Sequence, residues 1–238
     1  MRVLIYFPII HSGADMGSLA AELNRKGIDE FGKHFWETHV ETVRKYWEII
    51  RQYCEINISY TKPVKIYQDG MVVGGEIALK IIADSVKAGS KNYEIVSNLV
   101  SKGGIIMQTE DIALVKKEVE MLKSLPSTGS LLNKVIQLIK FKINRYRLLN
   151  ARDQYIARKI AETLDTDEIG LIFLGAYHNI LNKLPKDIQV VEFKEIKKVR
   201  AYQKILPFHN RYKQKFGTLS QYITTKDKLS YLHLKYVS

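Results

Sequence analysis

Gly170-Leu171-Ile172-Phe173-Leu174-Gly175-Ala176-Tyr177-His178 is the stretch on which the fold turns. Its apolar run, Gly170 to Leu174, has no polar residue in it, the pattern of a strand buried on both faces. It then runs through Gly175 into His178. Three other apolar runs end in the same fashion. Arg2 to Ile10 leads into His11, Val64 to Gln68 into Asp69, and Gly104 to Thr109 into Glu110 and Asp111. Helical patterns separate these runs, so the chain reads as α/β, a central mainly parallel sheet flanked by helices. In open sheets of this kind ligands bind outside the carboxyl ends of the strands. His11, Asp69, Glu110 and His178 are therefore expected to share one edge.

The helices follow from spacing. A long helical region from about residue 18 to 55 carries Phe35, Val40, Val43, Trp47, Ile50 and Cys54 at intervals of three and four. A break is expected near Gly27-Ile28-Asp29. Glu76 to Lys87 reads as a helix closed by Gly89, and Asn92 to Lys102 as another, ending at Gly103-Gly104. Thr109 is the expected N-cap of a helix from Asp111 to Lys123. Pro126-Ser127-Thr128-Gly129 reads as a linker. Beyond it, residues 130 to 164 form one or two helices, whose first part, Leu131, Leu132, Val135, Leu138, Ile139, Lys142, Ile143 and Tyr146, carries a largely apolar spacing of three and four. Ile188 to Phe193 is a fifth strand. The chain from Lys194 on reads as helical and basic, with Pro207 opening the last helix.

The 238 residues are expected to form one domain, 1–238, with residues 194–238 as a helical basic extension. A hydrophobic content of 46% against 26% charged excludes a disordered chain. The single cysteine, Cys54, excludes an internal disulfide and reads as a small core residue. No run of about 18 apolar residues is present, so no membrane span is expected. The first apolar run lacks a cleavage site and is interrupted by His11-Ser12-Gly13, so it reads as a strand rather than a leader. A cytoplasmic protein with no membrane partner is the expectation.

The net charge is +12, and from Lys183 onward thirteen Lys/Arg face only four Asp/Glu. That quarter also carries Tyr202, Phe208, Tyr212, Phe216, Tyr222, Tyr231 and Tyr236. Basic residues interleaved with rings suit nucleic acid, with phosphates tracked and bases stacked. The plainer alternative is a solvated lysine-rich surface with the rings packing the last helices onto the sheet.

Each candidate site residue has two readings. His11 is a metal ligand or base, or a loop histidine capping the next helix. His178 follows a turn that Gly175 permits, and is a ligand or a surface histidine. Asp69 is a ligand or half of an Asp-Gly turn pair. Glu110 and Asp111 are ligands or bases, or first-turn helix charges. Arg152 presents a fork suited to carboxylate, phosphate or a developing oxyanion, or makes a surface ion pair. His34 and His39, with Glu37 and Glu41, lack the H-E-x-x-H spacing. No phosphate-binding glycine loop, no G-x-S-x-G elbow and no Cys/His zinc cluster occurs.

The strand-end His11, an acidic strand end, the helix Arg152-Asp153-Gln154-Tyr155-Ile156-Ala157-Arg158-Lys159-Ile160 and Gly175-x-x-His178 together resemble the TraB/PrgY/Tiki group. That group lies within a clan that includes erythromycin esterase-like and ChaN-like proteins. The likeness is strongest over Arg152–Ile160 and Gly170–His178. At the amino end Pro8-Ile9-Ile10 precedes His11 where the family has Gly-x-x-His, and Asp69 stands where it has Glu. The resemblance implies metal-dependent peptidase or hydrolase, esterase or haem-binding activity.

The residues lead to the expectation of a metal-assisted hydrolase acting on a small-molecule or peptide substrate. His11, Asp69, Glu110 and His178 would take a divalent Mn, Co, Zn or Fe, with Arg152 at the oxyanion. In a metal-free version His11 would act as base. Two alternatives stand beside it, a nucleic-acid-binding protein using the basic carboxyl-terminal quarter and a non-catalytic haem or small-ligand module.

Overall fold

A computed structural model describes residues 1–11, 20–123 and 131–225. Five strands form the sheet: β1 (Arg2–Ile9), β2 (Val64–Gln68), β3 (Ile105–Met107), β4 (Ile169–Gly175) and β5 (Ile188–Glu192). Their order is β3-β2-β4-β1-β5, and each pairing is parallel. The most apolar strands, β1 and β4, lie at the centre, where both faces must be covered. Register aligns Ile9 with Gly175, Gln68 with Phe173, and Tyr67 with Met107, so the carboxyl ends fall on one edge.

Among the described residues eight helices flank the sheet: α1 (Ala20–Phe31), α2 (Lys33–Asn57), α3 (Gly75–Lys87), α4 (Lys91–Ser101), α5 (Ile112–Lys123), α6 (Leu131–Thr163), α7 (Ile196–Ile205) and α8 (Lys213–Thr224). Alternation along the strands sorts the core into two layers. Phe7 and Phe173, register neighbours on one face, stack at 4.7 Å, and Tyr53 of α2 meets Phe7 edge-on. Tyr67 lies on the opposite face, where its hydroxyl meets Thr163 of α6 at 2.8 Å. Ile156, Ala157 and Ile160 bury the inner side of α6, and Tyr46, Trp47, Ile50 and Cys54 that of α2. Burial pushes the Cys54 thiol up, which leaves an inert core residue.

Two α2 side chains fix the end of β1. The Tyr46 hydroxyl donates to the Pro8 carbonyl at 2.6 Å, and the Trp47 indole to the Ile10 carbonyl at 3.1 Å. Proline is tolerated here because its missing donor falls on the β5 side. Tyr6, two residues earlier, still accepts there from Phe193, just past the last residue of β5.

Three local expectations change and one open choice is decided. The break between α1 and α2 comes at Gly32, with φ +83°, not at Gly27. Gly27 lies within α1, where an added Cβ would sit 2.3 Å from the Trp36 ring, so its role is close packing. Residues 131–163 form one helix rather than two. Pro207 falls in a short 3-10 turn, and the last described helix starts at Lys213. Thr109 does not cap α5; the Asp111 carboxylate accepts from the Ala113 and Leu114 amides instead. The Thr109 hydroxyl accepts the Gln68 amide, stitching the ends of β2 and β3.

His39 sits under this layer, with Nδ1 2.7 Å from the Tyr202 hydroxyl. Burial lowers its pKa from 6.5 to about 4. As pH falls, the unfolded chain takes up this proton before the folded one does. The stability that depends on neutral His39 is fully present above pH 6.5 and gone below about 4, a difference of about 3 kcal/mol. Urea unfolding at about pH 7 and about pH 4.5 should show a loss about 2 kcal/mol smaller in His39→Gln than in wild type. Equal losses would show that His39 is not the group responsible.

Candidate functional site

The carboxyl edge carries a cluster of charged side chains. Asp69 directly follows β2, and its amide continues the ladder by donating to the Phe173 carbonyl at 2.9 Å. Its carboxylate turns toward β4, where the Gly175 amide donates to Oδ2 at 3.0 Å. A Cβ on residue 175 would lie 3.1 Å from that oxygen, so glycine is what allows the carboxylate so near the strand. Gly70, with φ +75°, turns the chain away. Asp69-Gly70 is thus both a turn pair and part of the site.

Glu110 arrives from the end of β3. The Met71 carbonyl accepts both the Thr109 and Glu110 amides, at 2.8 and 3.0 Å, so the β2 turn holds the β3 end. The Glu110 side chain is fully buried. Arg152 reaches it from α6. Its Nε donates to Glu110 Oε2 at 2.9 Å, and Nη2 donates to Glu110 Oε1 and, at 3.0 Å, to Asp69 Oδ1. Nη1 donates to Glu118 of α5. Four of the five guanidinium N–H groups are therefore turned onto carboxylates.

The next residue of α6 does the matching task for His178. Asp153 Oδ1 lies 2.6 Å from His178 Nδ1, and Oδ2 accepts the Asn179 amide at 2.9 Å. The turn closes with the His178 amide on the Gly175 carbonyl at 3.0 Å. Arg200 of α7 locks it from outside, donating to the carbonyls of Ala176 at 2.6 Å and His178 at 3.0 Å. With Nδ1 held, His178 Nε2 faces Asp69 Oδ2 at 3.8 Å, and His11 Nε2 faces the same oxygen at 3.6 Å. One ligand atom each from Asp69, Glu110 and His178 can be chosen so that all lie within 4.8 Å of one another.

The environments pull the titrating groups apart. Burial alone would raise Asp69, but His11, His178 and Arg152 outweigh it and hold the carboxyl well below its usual range. Burial dominates at Glu110 and raises it despite Arg152. Burial would lower His178, yet the Asp153 hydrogen bond and the Asp69 charge outweigh it and raise the imidazole above its ordinary value. Paired carboxyls whose environments separate them in this way are suited to different roles.

The structure thus brings together Asp69, Glu110, Arg152 and His178, with His11 alongside. Asp111 separates from them as a helix cap. His34 is exposed, and His209 stacks on Phe35 far along the chain from the cluster. Sequence reading missed Asp153, Glu118 and Arg200 as supporting residues. The signal for Asp153 was the Arg-Asp pair itself, since adjacent helix positions point about 100° apart and serve two neighbours. Of the aromatic residues in the basic carboxyl-terminal quarter, Tyr202 is fully buried and Phe216 packs on it at 5.1 Å. Tyr222 accepts the Glu195 amide and lies under Lys194 and Lys198. Phe208 and Tyr212 are exposed. Tyr231, Tyr236 and His233 lie outside the described residues.

Compared with protein-family models, curated proteins and solved structures, the chain matches none of them. Among the described residues no helix is long and apolar enough to cross a membrane.

Breaking a buried ion network by removing one member strands the rest, at about 3–5 kcal/mol. Arg152→Met should therefore lower the free energy of urea unfolding by about that much. Glu118→Gln, at the wetter end of the same network, should cost about 1 kcal/mol or less. Equal costs for the two variants would show that the guanidinium does not organise the cluster.

Proposed function

We propose that this chain is a metal-assisted hydrolase of the TraB/PrgY/Tiki kind, acting on a peptide, ester or other small carbonyl or phosphoryl substrate. One observation carries the reading: His178, oriented through Nδ1 by Asp153, presents Nε2 to Asp69 and Glu110 at the carboxyl edge of the sheet. A carboxylate on the far nitrogen of a histidine fixes its tautomer and orients the other nitrogen, the usual support of a metal-binding imidazole.

The donor set fits a divalent cation of intermediate hardness. Two imidazoles and two carboxylates suit Mn, Co, Zn or Fe, and the lone thiol is buried elsewhere. Four carboxylates, Asp69, Glu110, Glu118 and Asp153, face one guanidinium and two imidazoles. That excess of negative charge favours a bound cation. A divalent ion held by His11, Asp69, Glu110 and His178 would acidify water and polarise the bond to be cleaved. His11, with 43% of its side chain exposed, stands at the open side, where a substrate would approach. Arg152 acts as a positioning residue, holding Asp69 and Glu110 in place. Its donors are committed to carboxylates, which leaves the oxyanion role weakly supported.

The Asp153–His178 pair also favours a second reading. Without metal, the same pair is a histidine general base oriented by a carboxylate, with Nε2 free to take a proton from water.

Metal analysis of purified protein by mass spectrometry separates the two readings. The expected result is about one Mn, Co, Zn or Fe per chain, lost in both His11→Ala and His178→Ala. Asp153→Asn should keep the fold but weaken metal binding by about 10–100-fold. No metal in wild type after reloading with each of the four ions would overturn the metal reading and leave the dyad.

A further inference from the structure

The long helix α6 has two unlike halves. Its carboxyl-terminal half is built into the domain: Arg152, Asp153, Ile156, Ala157 and Ile160 are buried. Arg152 lies at the carboxyl edge of the sheet, whereas the Ala161 and Leu164 carbonyls accept from Arg2 at the amino edge. The helix therefore runs antiparallel to β4, and residues 131–151 extend past the carboxyl edge. At 1.5 Å per residue that is up to about 30 Å of helix.

Ile143, Asn144, Arg145, Tyr146 and Arg147 are all exposed, more than one full turn. No described residue covers either face of the helix there. Tyr146 is 74% and Ile143 47% exposed, although both belong to the apolar stripe. At 100° per residue, Leu132, Val135, Ile139, Ile143 and Tyr146 fall within an arc of about 80°. In the same projection Arg147, Lys140, Asn133 and Asn144 follow one edge of that arc, Lys142 and Arg145 lie toward the other, and Phe141 falls nearly opposite it. Residues 131–147 contain five Lys/Arg and no Asp/Glu.

We propose that the amino-terminal half of α6 lies on an anionic lipid surface, its apolar stripe in the headgroup boundary and its basic residues on the lipid phosphates. Exposed Ile143 and Tyr146 on an apolar stripe flanked by basic residues, with no acidic residue among them, are the pattern of an interfacial helix. Each observation is needed. A nucleic acid would use the basic residues and stack on Tyr146 but leave Ile143 in water. A second copy of the chain would cover the apolar stripe but bring five like charges against five more. A lipid surface satisfies both faces, and the net charge of +12 adds to the attraction. The sequence expectation is of no membrane partner, and among the described residues no helix is long and apolar enough to cross a membrane; this proposal concerns an interface, not a span. The proposal is independent of the hydrolase reading, because it uses none of the cluster residues.

Flotation of the full chain with vesicles tests it. Wild type should float with phosphatidylcholine vesicles containing one-third phosphatidylglycerol and not with phosphatidylcholine alone. Reversing a basic residue, in Arg145→Glu or Arg147→Glu, should weaken binding about fivefold or more for each. Ile143→Ser with Tyr146→Ser should weaken it to a similar extent at unchanged charge. All four positions are exposed, and circular dichroism with thermal unfolding would confirm that the variants fold. Three results would each overturn the proposal: no flotation with either vesicle; anionic binding insensitive to the Ile143/Tyr146 change and matched by heparin or RNA; or a wild-type dimer in solution that the same change dissociates.

Discussion

Arg152 holds the carboxyl edge together. One guanidinium joins the end of β2 through Asp69, the end of β3 through Glu110 and the helix α5 through Glu118. The sheet order places β4 between β1 and β2, so strand pairing does not bring His11 to Asp69, whereas His178 follows the strand that pairs with β2 directly. Their meeting depends on where the loops beyond the strands are held, and α6 supplies that restraint from one helical turn. Buried ion networks contribute little net stability compared with an apolar core. What this network provides is position, since each carboxylate is fixed from several directions.

The same economy appears on the histidine side. Asp153 uses one oxygen for the imidazole and the other for the Asn179 amide, so ring and backbone are set together. Arg200 fixes the carbonyls of the same turn from α7. Across the sheet, Trp47 holds the Ile10 carbonyl just before His11. Both histidines thus stand on loops whose backbones are tied down by helices from different layers, an arrangement expected of a site that must keep its geometry.

Much of this was legible in the sequence. Strands buried on both faces, here β1, β2 and β4, announce themselves as apolar runs, and the edge strands β3 and β5 also fall close to their expected bounds. The strand-end rule collected His11, Asp69, Glu110 and His178 because a parallel sheet puts every carboxyl end on one side. The partners of those residues were less legible. Glu118 and Arg200 look like any solvated helix charge until tertiary packing brings them to the edge. Thr109 reads as a cap because caps are recognised by residue type alone, and Asp111 two positions on is an equally good one. Gly27 and Gly32 show the same ambiguity, one glycine serving a close ring contact and the other a positive φ. The aromatic residues of the carboxyl-terminal quarter carried two readings, and the described core pair follows the plainer one, packing onto the domain. Tyr202 and Phe216 turn inward to build the layer over α2.

The unbroken course of α6 has a mechanical consequence. A helix without proline or a bulge moves as a stiff rod, and Arg152 and Asp153 sit partway along it. Tilt or axial rotation of the projecting end is carried to both residues at once. Arg152 would shift the two acidic strand ends and Asp153 the imidazole, so the two sides of the cluster would move in concert. Load on the distal turns is thereby passed to the spacing of the carboxylates and the imidazole at the sheet edge, without a hinge between them.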